Sequence, residues 1–190
     1  MSLDVQRKRE HRKYFRAYEN PKYRMKAERR LDAVNDLAAL PVRGSYLDVS
    51  CGQGDMLLEA EGLGFAPVMG TEIVPSLIDG TRVVYAEVHA LPFADKSIDV
   101  ATMFDVIEHL IIGDDERACI ELARVARRHV ILTANNKPSI NRATREDLHI
   151  NKRPYEQWDD LFRTWFAGAR VTWIKGERAY ISEAWRIDLR

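Results

Sequence analysis

The run Tyr46-Leu-Asp-Val-Ser-Cys-Gly-Gln-Gly-Asp-Met-Leu-Leu-Glu-Ala-Glu-Gly-Leu-Gly-Phe65 constrains the fold more than any other part of the chain. An apolar strand runs into a glycine-containing turn, and a helix follows at once. Gly52 and Gly54 let the backbone approach a ligand where a Cβ would collide with it. A helix beginning near Asp55 offers free N–H groups and the positive end of its dipole. Two spaced glycines alone are a weak signal. Here they precede Pro67-Val-Met-Gly-Thr-Glu-Ile73, a second strand ending on an acidic residue. A carboxylate there suits a ribose, whose two hydroxyls it can accept together. The pair of signals points to a nucleoside-containing cofactor.

From Ser45 onward strand and helix patterns alternate, which implies parallel pairing through right-handed crossovers. Strands are read near 45–50, 67–71, 82–86, 98–103 and 128–133, and helices near 54–63, 75–79, 105–111 and 114–126. The link from Glu72 to Val83 is short, so its helix is clipped or irregular. Ahead of this core, residues 4–19 and 22–40 read as two helices parted by the stop signal Asn20-Pro21. Tyr14, Phe15, Tyr18 and Tyr23 give this N-terminal part an aromatic stripe. After the fifth strand, residues 135–150 are polar and irregular, at the end of the sheet where open α/β folds bind ligands. Pro154 opens a helix through Phe166, and Arg170–Lys175 with Ala179–Leu189, joined by Gly176-Glu177, read as a terminal antiparallel pair.

At 190 residues the chain is read as one α/β domain, doubly wound and Rossmann-like. It divides into a basic helical cap (1–40), a cofactor-binding half (45–135) and an acceptor side (136–190). No apolar stretch has membrane-spanning length or the form of a signal core, so the expectation is a cytoplasmic protein without a membrane partner. Cys51 and Cys119 make no disulfide framework. The net charge is zero, yet residues 1–30 hold eleven Lys and Arg against four Asp and Glu. A basic arm on an acidic body implies either a polyanionic partner or a helical face paired with the body.

Two further segments narrow the cofactor: Ala86-Glu-Val-His-Ala-Leu-Pro-Phe93, then Ser97-Ile-Asp-Val-Ala-Thr-Met-Phe-Asp-Val-Ile-Glu-His-Leu110. In order and spacing the four segments resemble the class I S-adenosylmethionine-dependent methyltransferases, most closely the small-molecule branch with "LPF" followed by "DVxEHL". The resemblance covers residues 45–135 and implies a mixed seven-stranded sheet under an N-terminal helical cap. It departs at Ser50, where the family usually has glycine; serine is small, and only slight loop adjustment is expected.

Carried over position by position, the resemblance assigns Asp48 to the glycine loop or the cofactor's amino group. Ser50, Gly52 and Gly54 give close backbone contact, and Glu72 takes the ribose hydroxyls. Glu87 takes the adenine amino group, while Val88 or His89 offers a backbone N–H to the ring. Phe104 joins the cofactor contacts, and Arg24 can reach the methionine carboxylate. Asp105, Glu108 and His109 fall at i, i+3 and i+4, so one helical face can present all three. His109, Asp105 and His149 are the catalytic candidates, His109 as a base for a hydroxyl acceptor.

Asp-x-x-Glu-His also resembles the metal-binding helix of ubiquinone-pathway O-methyltransferases and small-RNA 2′-O-methyltransferases, which have Glu at the position of Asp105. His149 could fill the place of the RNA enzymes' later histidine, but no metal is assigned on this ground. His149, Asn151, Lys152, Arg153 and Tyr155 form an expected acceptor patch, with Trp158 in the core. The implied activity is methyl transfer from S-adenosylmethionine to a small-molecule or glycan-like acceptor, more readily at oxygen than nitrogen. A nucleic-acid acceptor remains open but not favoured, as does a non-catalytic S-adenosylmethionine-binding module.

Overall fold

The computed structural model describes residues 2–20, 23–141, 144–175, 178 and 182–190. Pro21, the Gly176-Glu177 link and the first residues of the expected last strand lie outside the described residues. Two helices lead the chain, α1 (Leu3–Tyr18) and α2 (Ala27–Ala38). β1 (Tyr46–Val49), α3 (Asp55–Gly62), β2 (Val68–Glu72), β3 (Val83–Tyr85) and β4 (Ile98–Met103) follow. α4 (Asp114–Val125), β5 (Ala126–Ala134), α5 (Tyr155–Trp165), β6 (Arg170–Ile174) and β7 (Glu183–Asp188) complete the order.

The seven strands form one sheet in the order β3-β2-β1-β4-β5-β7-β6. β1 to β5 pair in parallel, and β7 pairs antiparallel with both β5 and β6. The strand order reverses between β1 and β4, so a crevice opens beyond their C-terminal ends. The glycine loop after β1 and the segment after β4 both lie there.

The strands of the middle are buried on both faces, which is why they read as continuous apolar runs rather than alternations. Leu47, Val49, Ala101, Met103, Val130 and Leu132 join one cluster with Trp158, Phe162 and Trp185. Tyr46, Val100 and Ile131 point the other way, onto Leu37, Met56 and Phe65. Trp158 is fully buried, stacked on Phe162 at 5.5 Å between ring centroids.

One helical expectation stands in its clipped form and one is corrected. Residues 75–79 hold a 3₁₀ turn at Pro75–Leu77, and 105–111 hold a 3₁₀ turn at Ile107–His109. The second break has a local cause. Asp105 adopts a left-handed backbone (φ 54°), and its N–H is drawn to the Thr133 hydroxyl at 2.7 Å across the sheet. Helical spacing therefore does not relate Asp105 to Glu108 and His109.

Candidate functional site

A cavity of about 440 Å³ opens at the strand-order reversal. The glycine loop forms its floor. Ser50, Gly52 and Gly54 all have positive φ (60°, 55° and 77°), and the loop is pinned by Cys51 N–H donating to the Thr71 carbonyl at 2.9 Å. Ser50 thus holds a conformation that costs an L-residue about 1–2 kcal/mol, which gives a physical reason for glycine at this position. A Cβ on Gly52 would lie 2.5 Å from the Tyr18 hydroxyl oxygen, so a side chain there would push the Tyr18 ring of α1 off the loop. On the far side, a Cβ on Gly70 of β2 would lie 2.6 Å from Cys51 Sγ. Gly70, missed in the sequence, is what lets the loop lie flat on the sheet.

Three carboxylates meet the loop in different states. Glu72, buried at the end of β2, accepts N–H bonds from Gly52 (2.9 Å), Ile73 (2.7 Å) and Val74 (3.2 Å). Burial raises its pKa and those three amides oppose the rise. Oε1 takes the Ile73 and Val74 bonds, so Oε2, which takes the Gly52 bond alone, retains acceptor capacity for a ligand hydroxyl. Asp48, 3% exposed, accepts from the Thr102 hydroxyl at 2.8 Å, and burial pushes its pKa up to about 7. Glu87 accepts from the Tyr85 hydroxyl at 2.9 Å and faces His11 Nε2 at 3.3 Å; the His11 hydrogen bond lowers its pKa. Val88 and Phe104, both buried, line the same cavity. Arg24 lines it too, with its guanidinium bonded to Asp55 at 2.5 Å at the start of α3.

α1 contributes a face that the aromatic stripe only half revealed. Arg7, His11, Tyr14 and Tyr18 recur at helical spacing and all line the cavity, whereas Phe15 is 37% exposed. Arg7 ties this helix to the body by a two-pronged contact with Asp114, 2.6 Å on each arm. A search for the 3.6-residue period in polar as well as apolar residues would have found this face.

At the other end of the cavity stand His109 and His149. Their rings meet edge to face at 4.6 Å, and His109 also meets Tyr14 at 5.3 Å. His109 Nδ1 lies 2.9 Å from the Leu148 carbonyl, and His149 Nδ1 contacts the Lys137 carbonyl. A carbonyl only accepts, so each Nδ1 carries its proton and each Nε2 presents a lone pair. Burial lowers both imidazole pKa values, that of His109 to about 3. Glu108 lies fully buried with His149 Nε2 3.8 Å from Oε1. Neither Glu108 oxygen has a hydrogen-bond partner among the described residues, and burial raises its pKa well above the carboxylate range. Asp105 turns away from this group: it bonds Arg29 at 2.7 Å and accepts from the Ser182 hydroxyl at 2.8 Å.

The rest of the expected acceptor patch is structural. Asn151 and Arg153 both bind the buried Asp115 of α4, at 2.9 and 2.8 Å, and Arg153 stacks over Trp158 at 4.5 Å. Lys152 pairs with Asp147. Of the residues named in that patch, His149 alone lines the cavity.

The profile of the methyltransferase domain family matches residues 47–134, from β1 through β5. Residues 47–134 form a methyltransferase domain. Solved structures agree on the fold. The PH0226 protein from Pyrococcus horikoshii OT3 is similar at 16% identity, with 94% of this chain and 99% of that one covered and a TM-score of 0.68. A SAM-dependent methyltransferase from Archaeoglobus fulgidus shares 15% identity over 85% of this chain and 92% of that one, TM-score 0.63. Magnesium protoporphyrin IX methyltransferase from Synechocystis PCC 6803, solved with bound SAM, shares 14% over 93% and 91%, TM-score 0.62. No curated protein sequence matches the chain significantly. The fold is that of the class I S-adenosylmethionine-dependent methyltransferases, and residues 47–134 carry their domain signature. The cleft offers such a donor a cavity lined by the glycine loop and a remaining lone pair on Glu72 Oε2. Among the described residues no helix is long and apolar enough to cross a membrane.

Proposed function

We propose that this methyltransferase acts on an oxygen of a small-molecule or glycan-like acceptor, in keeping with the small-molecule branch its "LPF" and "DVxEHL" segments resemble. One observation carries the reading. A single cavity of about 440 Å³ runs from the glycine loop, Glu72 and Glu87 to Tyr14, His109 and His149, so donor and acceptor would share one enclosure of small-molecule size. Bound S-adenosylmethionine supplies an already activated methyl group on its sulfonium. Glu72, Glu87, Val88, Phe104, Asp48 and the loop of Ser50, Gly52 and Gly54 are the residues we assign to hold it, with Arg24 at the rim.

What remains for the chain is alignment, which carries much of the rate in such a transfer. His109 and His149 close the acceptor end of the cavity, where an acceptor oxygen would face the donor. Asp105 is assigned as a positioning residue, acting through Arg29. A nucleic-acid acceptor is disfavoured by the arm's own pairing. Arg7, Arg24, Arg29 and Arg30, four of the arm's eleven basic residues, bind carboxylates of the body, which supports a helical face paired with the body.

The test is release of S-adenosylhomocysteine with a panel of phenols, sugars and hydroxylated metabolites beside short RNA and DNA. The expected product carries a methyl ether. Methylation of nitrogen, or of nucleic acid alone, would overturn the acceptor reading; donor binding without turnover on any acceptor would favour the binding module.

A further inference from the structure

The donor cleft does not use the group of Glu108, His109 and His149. One ligand atom from each of these side chains lies within 4.8 Å of the other two. We propose that Glu108, His109 and His149 form a divalent-cation site of two imidazoles and one carboxylate, opening on the acceptor end of the cavity.

Three independent features point inward. Glu108 is 0% exposed, and both its oxygens lack a hydrogen-bond partner among the described residues. A buried carboxylate in that state is costly unless a positive partner completes it. Both imidazoles donate Nδ1–H to backbone carbonyls, Leu148 for His109 and Lys137 for His149. That outer contact fixes the tautomer and leaves Nε2 as the ligand atom, the arrangement metal-bound histidines adopt. The carbonyls come from the segment after β5, so the chain folds back over the turn after β4 to assemble the set. Asn151 N–H, donating to the Glu108 carbonyl at 2.9 Å, closes that fold.

The charge balance also suits a cation. The guanidinium whose field reaches both imidazoles is Arg29, and it is bonded to Asp105. Asp105 is therefore a charge-neutralising neighbour and not a ligand, in contrast to what Asp-x-x-Glu-His suggests in the sequence. Bonds of about 2.0–2.2 Å require the three ligand atoms to close by roughly an ångström. Two nitrogens and one oxygen favour manganese, iron, cobalt or zinc over magnesium or calcium. His109 and His149 line the cavity, so the cation's remaining positions are reached from the acceptor side.

The proposal rests on these side chains and not on the acceptor reading, so its test measures cation binding alone. Chelator-stripped protein is titrated with Mn²⁺, followed by the paramagnetic resonance of the free ion, and with Co²⁺, followed by visible absorption. Wild type is expected to take up one equivalent. Glu108→Gln and, independently, His149→Ala should weaken binding by about 10–100-fold, and Asp105→Asn, which bares the Arg29 charge but removes no ligand, should weaken it less than either. Circular dichroism and S-adenosylmethionine binding check that each variant is folded. The proposal is overturned by wild type without saturable uptake below about 1 mM of either ion. Unchanged binding in both ligand variants overturns it too, as does a larger loss in Asp105→Asn than in either of them. An infrared carboxylic-acid band present in cation-saturated wild type and lost in Glu108→Gln would put a proton where the cation is proposed, and would overturn it as well.

Discussion

Replacing Asp48 by asparagine tests how this fold tolerates an acid beneath its glycine loop. The carboxyl is 3% exposed, accepts the Thr102 hydroxyl and has its pKa pushed to about 7 by burial, with Glu72 adding to the rise. In the unfolded chain an aspartate titrates near 3.9, so folding favours the protonated form. The sign follows from linkage: Asp48 contributes stability that is fully present below about pH 4 and is lost as pH rises through about 7. Three units correspond to about 4 kcal/mol over the whole window, of which about 2.5 kcal/mol falls between pH 5 and pH 8. Asparagine keeps the acceptor for Thr102 and removes the titration. Urea unfolding of wild type and Asp48→Asn, without cofactor, should therefore diverge by about 2.5 kcal/mol in favour of the variant from pH 5 to pH 8. Parallel stability curves across this range would refute the argument.

Two further perturbations read the packing. Gly70→Ala should destabilise by about 1–3 kcal/mol, because its Cβ meets Cys51 Sγ at 2.6 Å and Leu57 Cδ1 at 3.1 Å. Cys51→Ala should recover part of that loss, by at least about 0.5 kcal/mol in a double-mutant cycle; strict additivity would place the clash elsewhere. Combining Arg7→Ala with His11→Ala removes the ties of α1 to Asp114 and Glu87. Amide exchange over residues 3–18 should then accelerate while the central strands keep their protection; uniform acceleration would mean that α1 is integral to global stability.

The parallel core was legible because strands buried on both faces and a glycine turn before a helix leave strong, local signals. Gly52, Gly54 and Glu72 lie within twenty-one residues, and short-range geometry brings them together: Gly52 N–H bonds Glu72 at 2.9 Å. The acceptor end was read less well. Helical spacing suggested a common face for Asp105, Glu108 and His109, but a positive φ at Asp105 separates them. That φ is set by Thr133 on a neighbouring strand, a contact that no local pattern encodes. Asn151 and Arg153 have the composition of a ligand patch, yet Asp115, thirty-six residues upstream of Asn151, claims both. The polar face of α1 was missed for a different reason. It begins with polar residues, and a search for apolar periodicity passes over Arg7 and His11.

Calorimetric titration of wild type and Glu72→Gln with S-adenosylmethionine tests the central claim most directly. Gln retains the shape of Glu72 but removes its charge and places an amide donor where the carboxylate accepts bonds, among them that of Gly52 N–H at 2.9 Å. Micromolar binding is expected of wild type, about −8 kcal/mol. In the variant binding should weaken by about 1.5–3 kcal/mol, the worth of a charged hydrogen bond. Wild type that fails to bind, or a variant that binds equally well, would contradict the assignment of Glu72 and its loop to the donor.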